Sequence, residues 1–150
     1  MRGGLIDIEF IVQYLQLKNA TANPKILGTN TSDVLDKLIN KKILNDEQFK
    51  VLNNTLKFWQ TIQGVLRLTV QGYFKPVSEK KIPRALAQVL IGATGYSDLK
   101  ALKSGIIDSA QDVFKIYKEI IGEPDKINKD RSSYWIYDLH IKLIQLSAIH

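Results

Sequence analysis

No cysteine occurs anywhere in this 150-residue chain, which excludes disulfides, thiolate metal sites and thiol nucleophiles together and fits a reducing compartment. Histidine is nearly as scarce. His140 and His150 are the two present, both near the C-terminal end, and neither has a carboxylate at i+3 or i+4 that would make a metal-ligating pair. No glycine-rich run stands between a strand pattern and a helix pattern, so no phosphate loop is expected. Apolar runs are only a few residues long, against about 20 for a membrane-crossing helix. Residues 5–17 are interrupted by Asp7, Glu9, Gln13 and Gln16 and lack the basic flank and small-residue cleavage site of a secretory signal. The expectation is a soluble, cytoplasmic protein with no membrane partner.

Charge of one sign is in mild excess, with a formal net charge of +6. It is spread rather than concentrated. Residues 1–44 carry six basic and four acidic side chains, 45–81 six and three, 82–122 five and four, and 123–150 four of each. No segment forms a basic arm. The paired lysines Lys41-Lys42 and Lys80-Lys81 fall at helix ends, where they meet the negative end of the helix dipole or solvate a loop. Nucleic acid is therefore not an expected partner.

What is present is helical periodicity. Leu5, Ile8, Val12 and Leu15 make one stripe, widened by Ile11 and Tyr14, in a helix over about 5–19, and Gly3-Gly4 permit a sharp turn into it. Asn23-Pro24 and Gly28 break the pattern. Thr31 or Ser32 then caps a short helix carrying Val34, Leu35 and Leu38, closed by Lys41 and Lys42. Asn45 with Gln48 forms a capping-box-like start to the longest helix, reaching about Gly72. Its stripe is Phe49, Leu52, Leu56, Trp59, Ile62, Leu66 and Val70, and Gly64 inside it would ease a close helix crossing. Pro83 suits the first turn of a fourth helix through Leu86, Val89 and Leu90, stopped by Gly95. Ser97 caps a fifth helix, with Leu99, Leu102, Ile106, Ala110, Val113, Tyr117 and Ile120 facing in and Gly122 as its stop.

These patterns predict an all-α fold, a bundle of about five helices over residues 1–122, with a C-terminal extension over 123–150. The extension opens with a polar linker. In its last part, Tyr137, Leu139, Ile141 and Leu143 alternate as in a strand, whereas Ile136, Leu139, Leu143 and Leu146 make a helical stripe. Helix is the favoured reading, because a strand would have no partner.

Asp7 and Glu9 are the one carboxylate pair in a suggestive setting. Two residues apart on a helix, they diverge by about 200° and cannot share a metal unless the first turn is irregular. Glu9 aligns with Gln13 and Gln16 on a polar stripe, while Asp7 lies beside the apolar face. An acid in the first turn also stabilises the positive helix end, and Asp7 could satisfy unpaired N–H groups there.

The run Arg2-Gly-Gly-Leu-Ile-Asp-Ile-Glu-Phe-Ile-Val-Gln-Tyr-Leu-Gln-Leu17 resembles the segment that opens the helical domain after the nucleotidyltransferase fold in bacterial glutamine synthetase adenylyltransferases. The likeness continues through Thr31, the helix from Leu35 to Leu44, Leu66-Arg67-Leu68, Phe74-Lys75-Pro76, Pro83-Arg84-Ala85-Leu86 and Ile121-Gly122, covering about 2–122. Uridylyltransferases of the nitrogen regulatory protein share a Gly-Gly-Leu-x-Asp helix start, with a less similar continuation. The resemblance implies a bifunctional enzyme of nitrogen regulation that transfers AMP from ATP to a tyrosine of glutamine synthetase and removes it by phosphorolysis, with magnesium held by aspartates on a nucleotidyltransferase sheet. No counterpart of that sheet's Gly-Ser and Asp-x-Asp elements occurs here. The chain alone is thus expected to be inactive, to hold no catalytic residue or metal ligand, and to bind neither magnesium nor ATP by itself. The resemblance leaves Arg2, Gly3, Gly4, Asp7 and Glu9 as the edge of a nucleotide site, and Arg67 and Arg84 as candidates for protein docking. The partners it implies are glutamine synthetase and the missing nucleotidyltransferase domain. The alternative is a free-standing, non-catalytic helical interaction module or a truncated remnant of that enzyme, with the tail as a candidate for self-association.

Overall fold

The computed structural model describes residues 3–70 and 84–123. In chain order these form α1 (Leu5–Asn19), a 3-10 turn (Pro24–Ile26), α2 (Thr31–Asn40), α3 (Asp46–Val70), α4 (Arg84–Thr94) and α5 (Leu99–Ile120). No strand occurs among the described residues, and the fold is all-α. None of these helices is long and apolar enough to cross a membrane. The expectations for Pro83 and for the tail beyond Glu123 lie outside the described residues.

The helices divide between two compact units. One contains residues 3–57 and 109–123, which is α1, the 3-10 turn, α2, the first half of α3 and the second half of α5. Its core joins Ile8, Ile11, Val12 and Leu15 of α1 to Ile26, Val34, Leu35, Leu38, Leu52, Leu56, Val113 and Ile116, all buried. The other unit contains the described part of Phe58–Asp108. It buries Trp59, Ile62 and Val65 of α3, Leu86, Ala87 and Leu90 of α4, and Leu102 and Ile106 of α5. The indole N–H of Trp59 has no acceptor among the described residues.

Helix ends follow local chemistry, with two changes from the sequence expectation. At α3 the capping box is reciprocal, since the Gln48 N–H donates to Asn45 Oδ1 at 2.8 Å and the Asn45 N–H to Gln48 Oε1 at 3.3 Å. At α2 the cap is Asn30 rather than Thr31 or Ser32. Its carboxamide oxygen accepts from the N–H groups of Ser32 at 2.9 Å and Asp33 at 3.2 Å, positions N2 and N3 of the helix that Asn30 caps. At α5 the cap is Asp98 rather than Ser97. Asp98 Oδ1 accepts the Ala101 N–H at 2.8 Å, and the Ser97 hydroxyl supports the cap by donating to Asp98 Oδ2 at 3.4 Å. Lys42 closes α2 in a left-handed conformation, φ 55°. Gly95 and Gly122, at φ 75° and 107°, stop α4 and α5 as expected.

Burial along the stripes differs at a few positions. Val89 is exposed, and its place inward is taken by Ala87; Val65 and Ile116 are buried although the simple stripes omitted them. Gly64 does not ease a crossing, because it is exposed and a Cβ there would meet nothing within 4 Å. Gly105 on α5 is the crowded glycine, and what it makes room for is a side chain rather than a second helix. A Cβ on it would come within 2.0 Å of the Tyr96 hydroxyl, and Tyr96 packs in turn on Phe58, with ring centroids 5.8 Å apart.

Candidate functional site

The Gly3-Gly4 turn and the start of α1 hold four of the residues singled out from the sequence, Gly3, Gly4, Asp7 and Glu9. Gly4 is the extended residue before the helix and provides no side-chain cap, so its carbonyl starts the helix by accepting from the N–H groups of Asp7 at 3.1 Å and Ile8 at 3.3 Å. The missing side-chain cap is made good from within. Asp7, three residues on, turns its carboxylate back to accept the Gly3 N–H. Asp7 is only 7% exposed, so this contact is made where water competes poorly and a charge-assisted bond is strong.

Gly3 itself stands at φ 94°. A Cβ at this position would lie 1.7 Å from the Ala110 carbonyl oxygen on α5, so glycine is demanded by both conformation and space. Gly3, Gly4 and Asp7 are therefore one buried unit. Glu9 is half-buried and, two residues beyond Asp7, diverges from it by about 200° around the helix. The two carboxylates do not converge. Among the described residues no group of three His, Cys, Asp or Glu side chains is placed to hold a metal ion. Arg2 lies outside the described residues. Arg67 and Arg84 are exposed, on α3 and α4 respectively, in the unit that does not contain α1.

Two features of α1 escape the sequence reading. Gln16, placed by periodicity on a polar stripe with Glu9 and Gln13, is buried. Its carboxamide oxygen accepts the Gly28 N–H at 2.8 Å and ties the loop after the 3-10 turn to α1. A glutamine bordering an apolar stripe was the available signal. Conversely, Phe10 and Leu17 are 52% and 79% exposed.

Comparison with known proteins places this geometry in a family. The sequence model for GlnD PII-uridylyltransferase matches residues 1–120, and so includes all five helices. Bifunctional glutamine synthetase adenylyltransferase/adenylyl-removing enzymes are similar over much the same segment. The Rhodopseudomonas palustris (strain BisB5) enzyme is 32% identical over 120 residues, 80% of this chain and 12% of that protein. The Xanthobacter autotrophicus enzyme is 33% identical over 119 residues, 79% and 12%. For Bradyrhizobium diazoefficiens the identity is 29% over 119 residues, with the same shares. The chain thus spans about 12% of the length of these relatives. No solved structure matches it. With its glycine turn, its inward Asp7 and its five helices inside the matched segment, the chain belongs to the GlnD PII-uridylyltransferase family, alongside the glutamine synthetase adenylyltransferases.

Proposed function

We propose that residues 1–122 act as the helical portion of a glutamine synthetase adenylyltransferase, supporting transfer of AMP from ATP to a tyrosine of glutamine synthetase. The observation that carries this reading is the similarity to glutamine synthetase adenylyltransferases over 119–120 residues, together with the family match over residues 1–120. Nucleotidyl transfer needs divalent-metal ligands, and among the described residues no group of three His, Cys, Asp or Glu side chains is placed to supply them. Among the described residues Asp7 and Glu9 do not form a magnesium site. Asp7 is engaged by the Gly3 N–H and Glu9 points elsewhere, whereas magnesium requires converging oxygen ligands in octahedral array. In this reading the metal and ATP are held outside residues 1–122.

In this reading Arg2, Gly3, Gly4, Asp7 and Glu9 border the nucleotide site. Asp7 is a positioning residue, holding the Gly3 backbone so that the turn has one conformation at the border. Arg67 and Arg84, both exposed, are available to a protein partner, and glutamine synthetase is the partner the relatives' names supply.

Residues 1–122 exchanged for the matched segment of the Rhodopseudomonas palustris enzyme should give a chimera that labels glutamine synthetase with AMP. The isolated chain should not label it. A folded but inactive chimera would sink the proposal, and magnesium-dependent labelling by the isolated chain would show that the chemistry resides here after all. In an active chimera, Asp7→Asn, which keeps an acceptor oxygen for the Gly3 N–H, should retain more activity than Asp7→Ala. Equal loss in the two variants would remove the positioning role.

A further inference from the structure

Helix α1 carries apolar side chains on the side opposite its buried face as well, beside Glu9 and around Gln13. Ile8, Ile11, Val12 and Leu15 are buried in its own unit. On the far side Ile6, Phe10, Gln13 and Leu17 succeed one another in steps of four, three and four residues, the spacing of a seam that meets one partner surface. Ile6 is half-buried, and Phe10, Gln13 and Leu17 are exposed. Tyr14 adjoins them, with the Lys18 ammonium drawn over its ring at 5.6 Å from the centroid. No charged side chain lies in the seam itself. Large apolar side chains exposed together on one face mark an interaction surface, and among the described residues nothing covers this one.

The size of the face decides between occupants. A stable complex of separate chains buries about 1,200–2,000 Å² in total. Two exposed apolar side chains and their neighbours supply on the order of a few hundred Å² per copy, which falls short for two copies pairing through α1. A segment of the same polypeptide loses much less freedom on docking, because tethering replaces free association with a high effective concentration, and interfaces between domains of one chain begin at about 600 Å². The relatives carry the matched segment as 12% of a much longer polypeptide.

We infer that the Ile6–Phe10–Gln13–Leu17 face of α1 seats against an apolar, uncharged surface elsewhere in the adenylyltransferase polypeptide. This rests on the family reading above and specifies which surface joins the helical portion to the rest of the enzyme. Glutamine synthetase, which would come and go, is not the occupant. The seam is closed before the substrate protein arrives.

The absence of cysteine makes the test direct. Leu17→Cys places one thiol on this face, and its maleimide labelling is followed by peptide mass mapping in the isolated 150-residue chain and in the whole-enzyme chimera. Labelling should be fast in the isolated chain and at least tenfold slower in the chimera without glutamine synthetase. Slowing that requires added glutamine synthetase would overturn the inference and give the face to the substrate protein. Slowing in the isolated chain as its concentration rises would overturn it in favour of a second copy. An active chimera labelled at full rate would sink the docking face while leaving the family reading intact. Where the chimera does not fold, the same cysteine at the aligned position of the intact Rhodopseudomonas palustris enzyme decides: a protected thiol supports the inference and a freely labelled one refutes it.

Discussion

Gly3 lies so close to Ala110 that a single added methyl group would fall 1.7 Å from the Ala110 carbonyl oxygen. The chain start is thereby locked against α5 by backbone rather than by side chains. A Gly3→Ala substitution must relieve both the overlap and a φ of 94° that alanine rarely adopts. Since neither backbone can yield as a flexible side chain would, the variant should lose at least about 2 kcal/mol in urea unfolding. A loss below about 0.5 kcal/mol would mean that the turn relaxes without consequence.

Gln16 is predicted to stabilise the fold through one bond rather than through polarity at the surface. In Gln16→Ala the buried carboxamide disappears and the Gly28 N–H loses its acceptor, which should cost about 1–2 kcal/mol. Native-state hydrogen exchange reports the effect locally. The Gly28 amide should exchange faster by tenfold or more, and an unchanged rate would show that this bond does not hold the loop.

Lys42 is a stabilisation waiting to be made. Its backbone is left-handed at φ 55°, with its N–H donating to the Ile39 carbonyl at 2.9 Å to close α2. Glycine adopts that conformation without the Cβ penalty. Lys42→Gly should therefore raise the unfolding free energy by about 0.5–1 kcal/mol, whereas a destabilised variant would mean that the lysine side chain contributes more than the strain removes.

Asp98 is expected to make the start of α5 sensitive to acid. Its carboxyl is held below the ordinary value of 3.8, first by the Ala101 N–H, which outweighs the opposing desolvation, and then by the Lys100 N–H, the Ser97 hydroxyl and the Lys100 charge. A depressed folded-state value means that the contribution is fully present above about pH 4 and is lost as pH falls through that lower value. Asp98→Asn should flatten the acid limb of a stability-against-pH curve while leaving α5 capped. Identical acid limbs for parent and variant would refute the assignment.

Much of this architecture was legible beforehand because helices are written in local spacing. The bounds of α1, the Asn45–Gln48 box and the glycine stops at Gly95 and Gly122 each depend on residues within one or two turns of each other. Capping at α2 and α5 was legible only to within a residue, because Asn30, Thr31 and Ser32, or Ser97 and Asp98, are all competent oxygens. Backbone direction at the turn selects among them. At the candidate site, Gly3, Gly4 and Asp7 were recognisable as a helix start, but the divergence of Glu9 leaves only part of that set together.

The amino-acid sequence by itself determined that this chain is helical, that it carries no thiol chemistry and that a glycine pair precedes its first helix. Periodicity, composition and motif are properties of neighbours along the chain. Only the tertiary structure decided that Gly3 must be glycine, that Gln16 belongs inside and that Phe10 and Leu17 do not. Each of those outcomes depends on a distant segment: Ala110 meeting Gly3, Gly28 reaching Gln16, and no described residue covering the outer face of α1. A pattern of 3.6 residues per turn says which side chains share a face, but not which of the apolar ones the rest of the fold will cover.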